Sequence, residues 1–170
     1  MPIHQSLRSL AGCCLLQGLY SNKMTGTIPT EFGKMTGLVD RFRVYANSLS
    51  GKIPTELGQM TELTSELAVQ SNQINGTVPT QLGRMTAMGS GFNLYDNSFN
   101  GPVPTQLGRM TATTSSFQLY DNSFDGAVPT QIGLMTAMAS IFYLQFNKFS
   151  ALPTQLGRMT AMGGYFYLNE

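Results

Sequence analysis

Hydrophobic and polar residues recur along this chain with a fixed period of 25 positions. The asparagines that share one position in successive periods form the Asn column, which contains Asn22, Asn47, Asn72, Asn97, Asn122 and Asn147. The same spacing relates Pro29, Pro54, Pro79, Pro104 and Pro129. A fixed period between about 20 and 50 residues is the signature of a solenoid, in which each unit buries its apolar face against its neighbours. The pattern therefore predicts a single repeat domain over residues 1–170.

The period divides the chain into units without a linker between them. Residues 1–25 form a degenerate unit, residues 26–150 form five units of 25 residues, and residues 151–170 form a truncated unit. Neither end has the atypical polar unit that closes a solenoid. We therefore expect the chain to be a fragment of a longer array.

Within one unit the periodicity of the apolar residues changes twice. Residues 41–45 and 116–120 alternate polar and apolar, which predicts one short strand per unit. Residues 120–126, Tyr-Asp-Asn-Ser-Phe-Asp-Gly, are typical of a turn. The turn of each unit is followed by a pair such as Val103-Pro104, in which the residue before proline favours extended backbone. Thr105 is then expected to cap a short helical segment whose Leu107 and Met110 face inward.

Two further columns of the repeat predict the core. One contains Met35, Met60, Met85, Met110, Met135 and Met159, and the other contains Phe42, Leu67, Phe92, Phe117, Phe142 and Phe166. The Asn column is interpreted as structural, because a side-chain amide inside a turn can pair with backbone groups of adjacent coils that would otherwise be buried without partners.

Two motifs carry a family resemblance. One is FxLxxNxF, given by Phe142, Leu144, Asn147 and Phe149; the other is GxVPxxLGxM, given by Gly76, Val78, Pro79, Leu82, Gly83 and Met85. Together they resemble the plant-type leucine-rich repeat, LxxLxLxxNxLxGxIPxxLGxL, over residues 26–168, with one residue more per unit than is usual. The resemblance implies an α/β solenoid: a right-handed coil with a parallel β-sheet on its concave face, short helical or 3₁₀ segments on its convex face, and a second short strand at the GxIP segment.

The resemblance also implies a function. Leucine-rich repeats of this type occur in receptor ectodomains and in secreted recognition proteins, so we expect a non-enzymatic module that binds a protein or a peptide, with a glycan as an alternative ligand. An extracellular or cell-surface location follows from the same resemblance. No cofactor is expected.

The outward positions of the concave strands are the expected ligand-binding surface, because they vary between units while the inward positions do not. They are Tyr20, Arg43, Tyr45, Gln70, Asn93, Tyr95, Asp96, Gln118, Tyr120, Asp121, Tyr143, Phe146, Tyr165 and Tyr167. Tyrosine is the most frequent residue there, and it is rigid, amphipathic and enriched in binding hot spots. The alternative interpretation is that stacking between neighbouring strands retains these tyrosines for the stability of the sheet.

Composition excludes several other functions. Charged residues make up 11% of the chain and the formal net charge is +1, so no basic surface for nucleic acid is indicated. The apolar segment Leu10 to Leu19 is too short to span a bilayer, which requires about 20 residues. Cys13 and Cys14 are adjacent and poorly placed to pair with each other. His4 is the only histidine, so a Ser-His-Asp triad or a histidine metal site has almost no material.

Asp96 and Asp121 are the strongest enzyme-like feature of the sequence. They occupy equivalent positions in neighbouring units, about 5 Å apart at the backbone, which resembles the carboxylate pair of a retaining glycosidase. Acid and base roles require two different environments, however, and repeat copies supply two similar ones. We therefore predict no catalytic residue and no metal site.

A second functional hypothesis involves threonine. Regular hydroxyl ladders on a stiff solenoid can present a repeating face to ice or to a polysaccharide. One ladder contains Thr55, Thr80, Thr105 and Thr130, and the other contains Thr36, Thr61, Thr86, Thr111 and Thr136. Arg84, Arg109 and Arg158 recur on the presumed convex side and are interpreted as part of a solvated face.

Overall fold

A computed structural model of the protein describes residues 18–168. His4, Cys13, Cys14 and most of the degenerate unit therefore lie outside the described residues. Within them, each full unit contributes one strand to each of two parallel sheets and one short 3₁₀ helix. This arrangement confirms the predicted right-handed leucine-rich repeat coil.

The concave sheet is formed by the first strand of each unit, and neighbouring units pair in register. Its strands are β2 (Arg41–Arg43), β4 (Glu66–Ala68), β6 (Gly91–Asn93), β8 (Ser116–Gln118), β10 (Ile141–Tyr143) and β12 (Tyr165–Tyr167). The formal strands are shorter than the predicted ones, which extended over 41–45 and 116–120. Backbone pairing nevertheless continues beyond them, since Val44 N donates to Ala68 O at 2.9 Å.

A second sheet, here called the lateral sheet, follows the turn of each unit. Its strands are β1 (Thr25–Thr27), β3 (Ser48–Gly51), β5 (Gln73–Gly76), β7 (Ser98–Pro102), β9 (Ser123–Ala127) and β11 (Lys148–Ala151). The turn expected from residues 120–126 occupies only the start of that segment, because β9 begins at Ser123. Phe124 is fully buried and pairs with Gly101 on the neighbouring strand β7, so burial and ladder pairing extend the chain here. The second strand thus lies largely before the GxIP segment.

The 3₁₀ helices form the convex side of the coil. They are Thr30–Lys34, Thr55–Gln59, Thr80–Arg84, Thr105–Arg109, Thr130–Leu134 and Thr154–Arg158. Thr105 does not cap its helix as predicted: Pro104 is the N-cap residue, and no side-chain cap hydrogen bond forms. The fixed φ of proline starts the turn, in which Leu107 N donates to Pro104 O at 3.1 Å.

The core consists of stacked columns, as the repeat predicts. Leu67, Phe92, Phe117 and Phe142 are fully buried, and the Phe92 and Phe117 rings stack with their centroids 5.5 Å apart. The later methionines of the Met column are buried, while Met35 is partly buried against the core. Within the described residues Phe166 closes the aromatic column and is 36% exposed.

Close contact between the 3₁₀ helices depends on glycine. A Cβ placed on Gly83 would overlap the backbone carbonyl of Gln106 in the next unit, and Gly58 and Gly108 are restricted in the same way. In these helices the apolar residue before the glycine fills the core, and the glycine lets the next helix approach.

Candidate functional site

The Asn column anchors the turn at which each concave strand ends. Asn97 Oδ1 accepts a hydrogen bond from Ile74 N at 3.0 Å, and Asn97 Nδ2 lies 3.1 Å from Val69 O and 3.2 Å from Leu94 O. Asn47, Asn72, Asn122 and Asn147 repeat this pattern. Asn22 is exposed, and its Nδ2 bonds to the carbonyls of Gly18 and Tyr20. Each of the interior asparagines thus links its own coil to the preceding one.

The residue before each asparagine has left-handed backbone. These residues are Ser21, Ala46, Ser71, Asp96, Asp121 and Phe146, with φ between 53° and 55°. Asp96 and Asp121 therefore lie in turns after β6 and β8, and the expectation that they lie on the strands was wrong. Aspartate tolerates this conformation better than most residues, whereas a bulky residue such as Phe146 is strained in it. The turn directs both carboxylates outward, and both residues are exposed.

Tyrosine rings form a column across the concave sheet. Tyr95 and Tyr120 stack with their centroids 4.4 Å apart and an interplanar angle of 10°. Tyr20 and Tyr45 stack in the same way at 4.7 Å. Tyr143 meets the edge of Tyr120 at 5.8 Å. All five side chains are half-buried, so they stabilise one another and still present polar edges to solvent.

The environment of Tyr120 makes its hydroxyl difficult to ionise. Burial raises the pKa of Tyr120 to about 12, and the neighbouring Tyr95 and Asp96 contribute in the same direction. The pKa of Tyr143 is also raised, by desolvation and then by Tyr167 and Tyr165. Tyr120 and Tyr143 therefore remain neutral hydrogen-bonding groups over the physiological range.

Two of the expected surface residues are buried. Gln70 is 7% exposed and Asn93 is 6% exposed. The alternation of polar and apolar residues along the strands had predicted that both would be accessible. Gln70 replaces tyrosine in the tyrosine column, and it is buried where the tyrosines are half-buried. Its Oε1 is buried without a hydrogen-bond partner, as is Oε1 of Gln145.

Asn93 is buried because it is the centre of a polar network on the concave sheet. Asn93 Nδ2 donates to Glu66 Oε1 at 2.8 Å, and Arg43 Nε lies 2.7 Å from Glu66 Oε2. On the other side, Ser116 Oγ and Gln118 Nε2 donate to Asn93 Oδ1 at 2.6 and 3.1 Å. The network crosses four strands.

Glu66 and Ser116 were missed by the sequence reasoning. They lie at the first position of β4 and β8, where Ser116 is two residues before the selected Gln118 and Glu66 is four residues before the selected Gln70. The period of two in a strand places such residues on the same face. Following that alternation back to the first residue of each strand would have found both.

The remaining predicted residues lie at the surface. Phe146, Tyr165 and Tyr167 are 60%, 61% and 48% exposed, toward the later units of the sheet. Residues on the 3₁₀ side of the coil are exposed as well, and they include both threonine ladders together with Arg84, Arg109 and Arg158. Each Thr of the first ladder directs Oγ1 to the side chain of the next residue, as Thr105 does to Gln106 Oε1 at 3.3 Å.

Between residues 18 and 168, no three His, Cys, Asp or Glu side chains come together as a possible metal site. In the same range the structure has no helix of the length and apolarity that crossing a membrane requires.

Comparison with known proteins gives structural relatives only. No protein-family model and no curated protein sequence matches the chain. Among solved structures, the chain is similar to the LRR ectodomain of the Arabidopsis thaliana membrane receptor kinase GASSHO1/SCHENGEN3, in complex with CASPARIAN STRIP INTEGRITY FACTOR 2. The TM-score is 0.76 and the identity 28%, over 89% of this chain and 18% of that one.

A second relative is the ectodomain of the Arabidopsis receptor kinase HAESA in complex with an N-terminally extended IDA peptide hormone. The TM-score is 0.75 and the identity 30%, over 88% of this chain and 25% of that one. The plant peptide hormone receptor RGFR1 in complex with RGF2 shares the fold, with a TM-score of 0.64 and 22% identity over 88% of this chain and 28% of that one. The chain thus spans about a fifth to a quarter of the length of these structures.

Proposed function

Because the chain is a leucine-rich repeat protein that resembles the plant-type subfamily, we propose that it is a non-enzymatic recognition module that binds a protein or peptide on its concave sheet. The observation that carries the proposal is the stacked pair Tyr95 and Tyr120, which lies in the middle of this sheet with its polar edges accessible. Rigid aromatic groups of this kind lose little conformational entropy on binding and are frequent in hot spots.

The proposed surface combines the tyrosine column with its polar neighbours. It consists of Tyr20, Arg43, Tyr45, Tyr95, Asp96, Gln118, Tyr120, Asp121, Tyr143, Phe146, Tyr165 and Tyr167, with Gln70 and Asn93 beneath it. Six strands at about 4.8 Å spacing give a sheet roughly 25 Å across, which is long enough for an extended peptide or one face of a small protein.

Two further arguments support a binding role over catalysis. The relatives named above are receptor ectodomains crystallised with peptide or protein ligands, and a similar role here would place the chain outside the cell or at its surface. Asp96 and Asp121 occupy equivalent exposed turns, with φ of 54° and 53°. Two such similar environments do not separate an acid from a base.

The test is a paired substitution measured by partner capture. Tyr95→Ala with Tyr120→Ala removes the central stack and should abolish capture of the partner, because both rings project from the sheet and the core is untouched. The matched control is Arg84→Ala with Arg109→Ala on the convex side, which should leave capture unchanged. If the arginine pair abolishes capture and the tyrosine pair does not, the recognition surface is on the convex side.

A second candidate function rests on the exposure of both threonine ladders along the convex side. A regular hydroxyl array could bind ice or a polysaccharide. It is weakened by the contacts of the first ladder, whose hydroxyls already bond to neighbouring side chains. Thermal hysteresis that disappears on Thr80→Val with Thr105→Val would favour this function over the concave-face proposal.

A further inference from the structure

The middle of the concave sheet offers hydrogen-bond acceptors but no cation. Asp96 and Asp121 carry the only charges in residues 91–97, 116–122 and 141–147, which contain no lysine or arginine. Neither carboxylate has a hydrogen bond or an ion pair with the described residues. The ion pairs seen on the concave sheet involve Arg41 and Arg43 of β2 instead. Two negative charges therefore stand side by side without compensation.

Two glutamines, Gln70 and Gln145, add side-chain oxygens without hydrogen-bond partners to this region. Ser71 N donates to Tyr95 O at 3.1 Å and Asp121 N to Gln145 O at 3.2 Å, which places Gln70 and Gln145 on either side of the tyrosine pair. Oε1 of each glutamine is buried without a partner, and Gln70 is more than nine-tenths buried. A buried acceptor without a donor is destabilising, and both of these oxygens lie beside the tyrosine pair, so this region has more hydrogen-bond acceptors than donors.

We infer that Tyr95, Tyr120, Asp96 and Asp121 form a site for the guanidinium group of an arginine side chain on a partner peptide or protein. This inference rests on the proposed function and names the chemistry of its ligand. A guanidinium carries one positive charge and five N–H donors in a plane, which suits two neighbouring carboxylates and the tyrosine hydroxyls. A lysine ammonium has three donors and is more strongly hydrated, so it fits this set less well.

The geometry of the rings agrees with this ligand. Tyr95 and Tyr120 cover each other's faces at 4.4 Å, so a ligand meets their edges and hydroxyl groups. Burial, Tyr95 and Asp96 together raise the pKa of Tyr120, which keeps that hydroxyl neutral. The attraction for a cation therefore comes from the carboxylates, and the tyrosines supply orientation and contact.

The test titrates the protein with N-acetylarginine amide and follows the backbone amide resonances by NMR. We expect shifts confined to residues 95–97 and 120–122, with binding at least about tenfold weaker for the neutral analogue N-acetylcitrulline amide, since one charged hydrogen-bonded contact is worth about that factor. Raising the salt concentration should weaken binding, because the carboxylates are exposed.

Matched variants connect the signal to the two carboxylates. Asp96→Asn with Asp121→Asn should weaken binding by about tenfold or more, and it should leave the fold intact because asparagine also tolerates left-handed backbone. Asp125→Asn, on the exposed part of β9 in the lateral sheet, should have no effect. Equal binding of the arginine and citrulline amides, or shifts produced by Ca²⁺ and not by the arginine amide, would overturn the inference.

The outcome separates this inference from the proposed function. If the arginine amide does not bind but Tyr95→Ala with Tyr120→Ala abolishes partner capture, the concave sheet recognises a different chemical group. If the arginine amide binds and the tyrosine pair does not affect capture, the guanidinium site exists but the partner uses another surface.

Discussion

Replacing Asn97 with alanine should destabilise the protein by about 1 to 3 kcal/mol, the cost of leaving a buried polar group without its partner. Ile74 N donates to Asn97 Oδ1 at 3.0 Å, and the substitution removes that acceptor from a fully buried residue. The side-chain amide of Asn97 also donates hydrogen bonds to Val69 O and Leu94 O.

Both carbonyl groups keep another hydrogen bond after the substitution, so the expected loss of stability stays within the range for one unpaired group. Val69 O still receives Asn72 Nδ2 at 3.1 Å, and Leu94 O still receives Asn122 Nδ2 at 3.2 Å. The unpaired N–H of Ile74 therefore accounts for most of the expected cost.

The assay is urea unfolding followed by circular dichroism, with the slope checked so that a change in midpoint reports stability alone. Asn22→Ala is the matched control, because it is the same substitution in an exposed residue whose amide, among residues 18–168, bonds within its own coil. It should cost less than about 0.5 kcal/mol, as should Ser98→Ala. Equal midpoints for Asn97→Ala and Asn22→Ala would refute the structural assignment of the Asn column.

Three further predictions test the packing, the polar network and the tyrosine environment. Gly83→Ala should cost about 1 to 3 kcal/mol in thermal or urea unfolding through overpacking against Gln106, whereas Gly157→Ala, whose Cβ would meet nothing within 4 Å, should be nearly neutral. Glu66→Ala should destabilise the protein by about 1.5 to 3 kcal/mol, because it leaves Arg43 and Asn93 without their acceptor. Arg41→Ala, which removes an exposed ion pair, should cost under about 1 kcal/mol. Similar losses of stability in the two variants would contradict the network. Because the pKa of Tyr120 is raised from 10.0 to about 12, its contribution to stability is complete below pH 10 and is lost as the pH rises through 12. Tyr120→Phe should remove the tyrosinate absorbance that appears near pH 12. An unchanged titration curve would contradict this environment of Tyr120.

The fold could be predicted from the sequence to a large extent, because its determinants are local and repeated. Each unit buries the same positions against copies of itself, so the Phe and Met columns identify the core without knowledge of any distant contact. The Asn column is similar: a side-chain amide at a fixed position after a strand finds the backbone of the preceding coil wherever the period holds. The lateral strand was mistaken for a turn because glycine, asparagine and serine are typical of turns, and pairing with the neighbouring coils overrides that local preference.

The candidate site could be predicted only in part, because it depends on differences between units. The tyrosine column was visible, but the burial of Gln70 depends on the larger side chains beside it. The polar network depends on Gly91, where a Cβ would lie 3.3 Å from Asn93 Nδ2 and 3.6 Å from Glu66 Cγ. The left-handed backbone of Asp96 was hidden because the same position holds serine, alanine and phenylalanine in other units.

Hydroxyl-radical footprinting of the protein with and without its captured partner tests the central claim most directly, since it reports which side chains the partner covers. The concave-face account predicts that oxidation of Tyr95, Tyr120 and Tyr143 falls on binding, while Leu134, which is 48% exposed on the 3₁₀ side, reacts as before. Protection of Leu134 together with unchanged oxidation of the three tyrosines would contradict it.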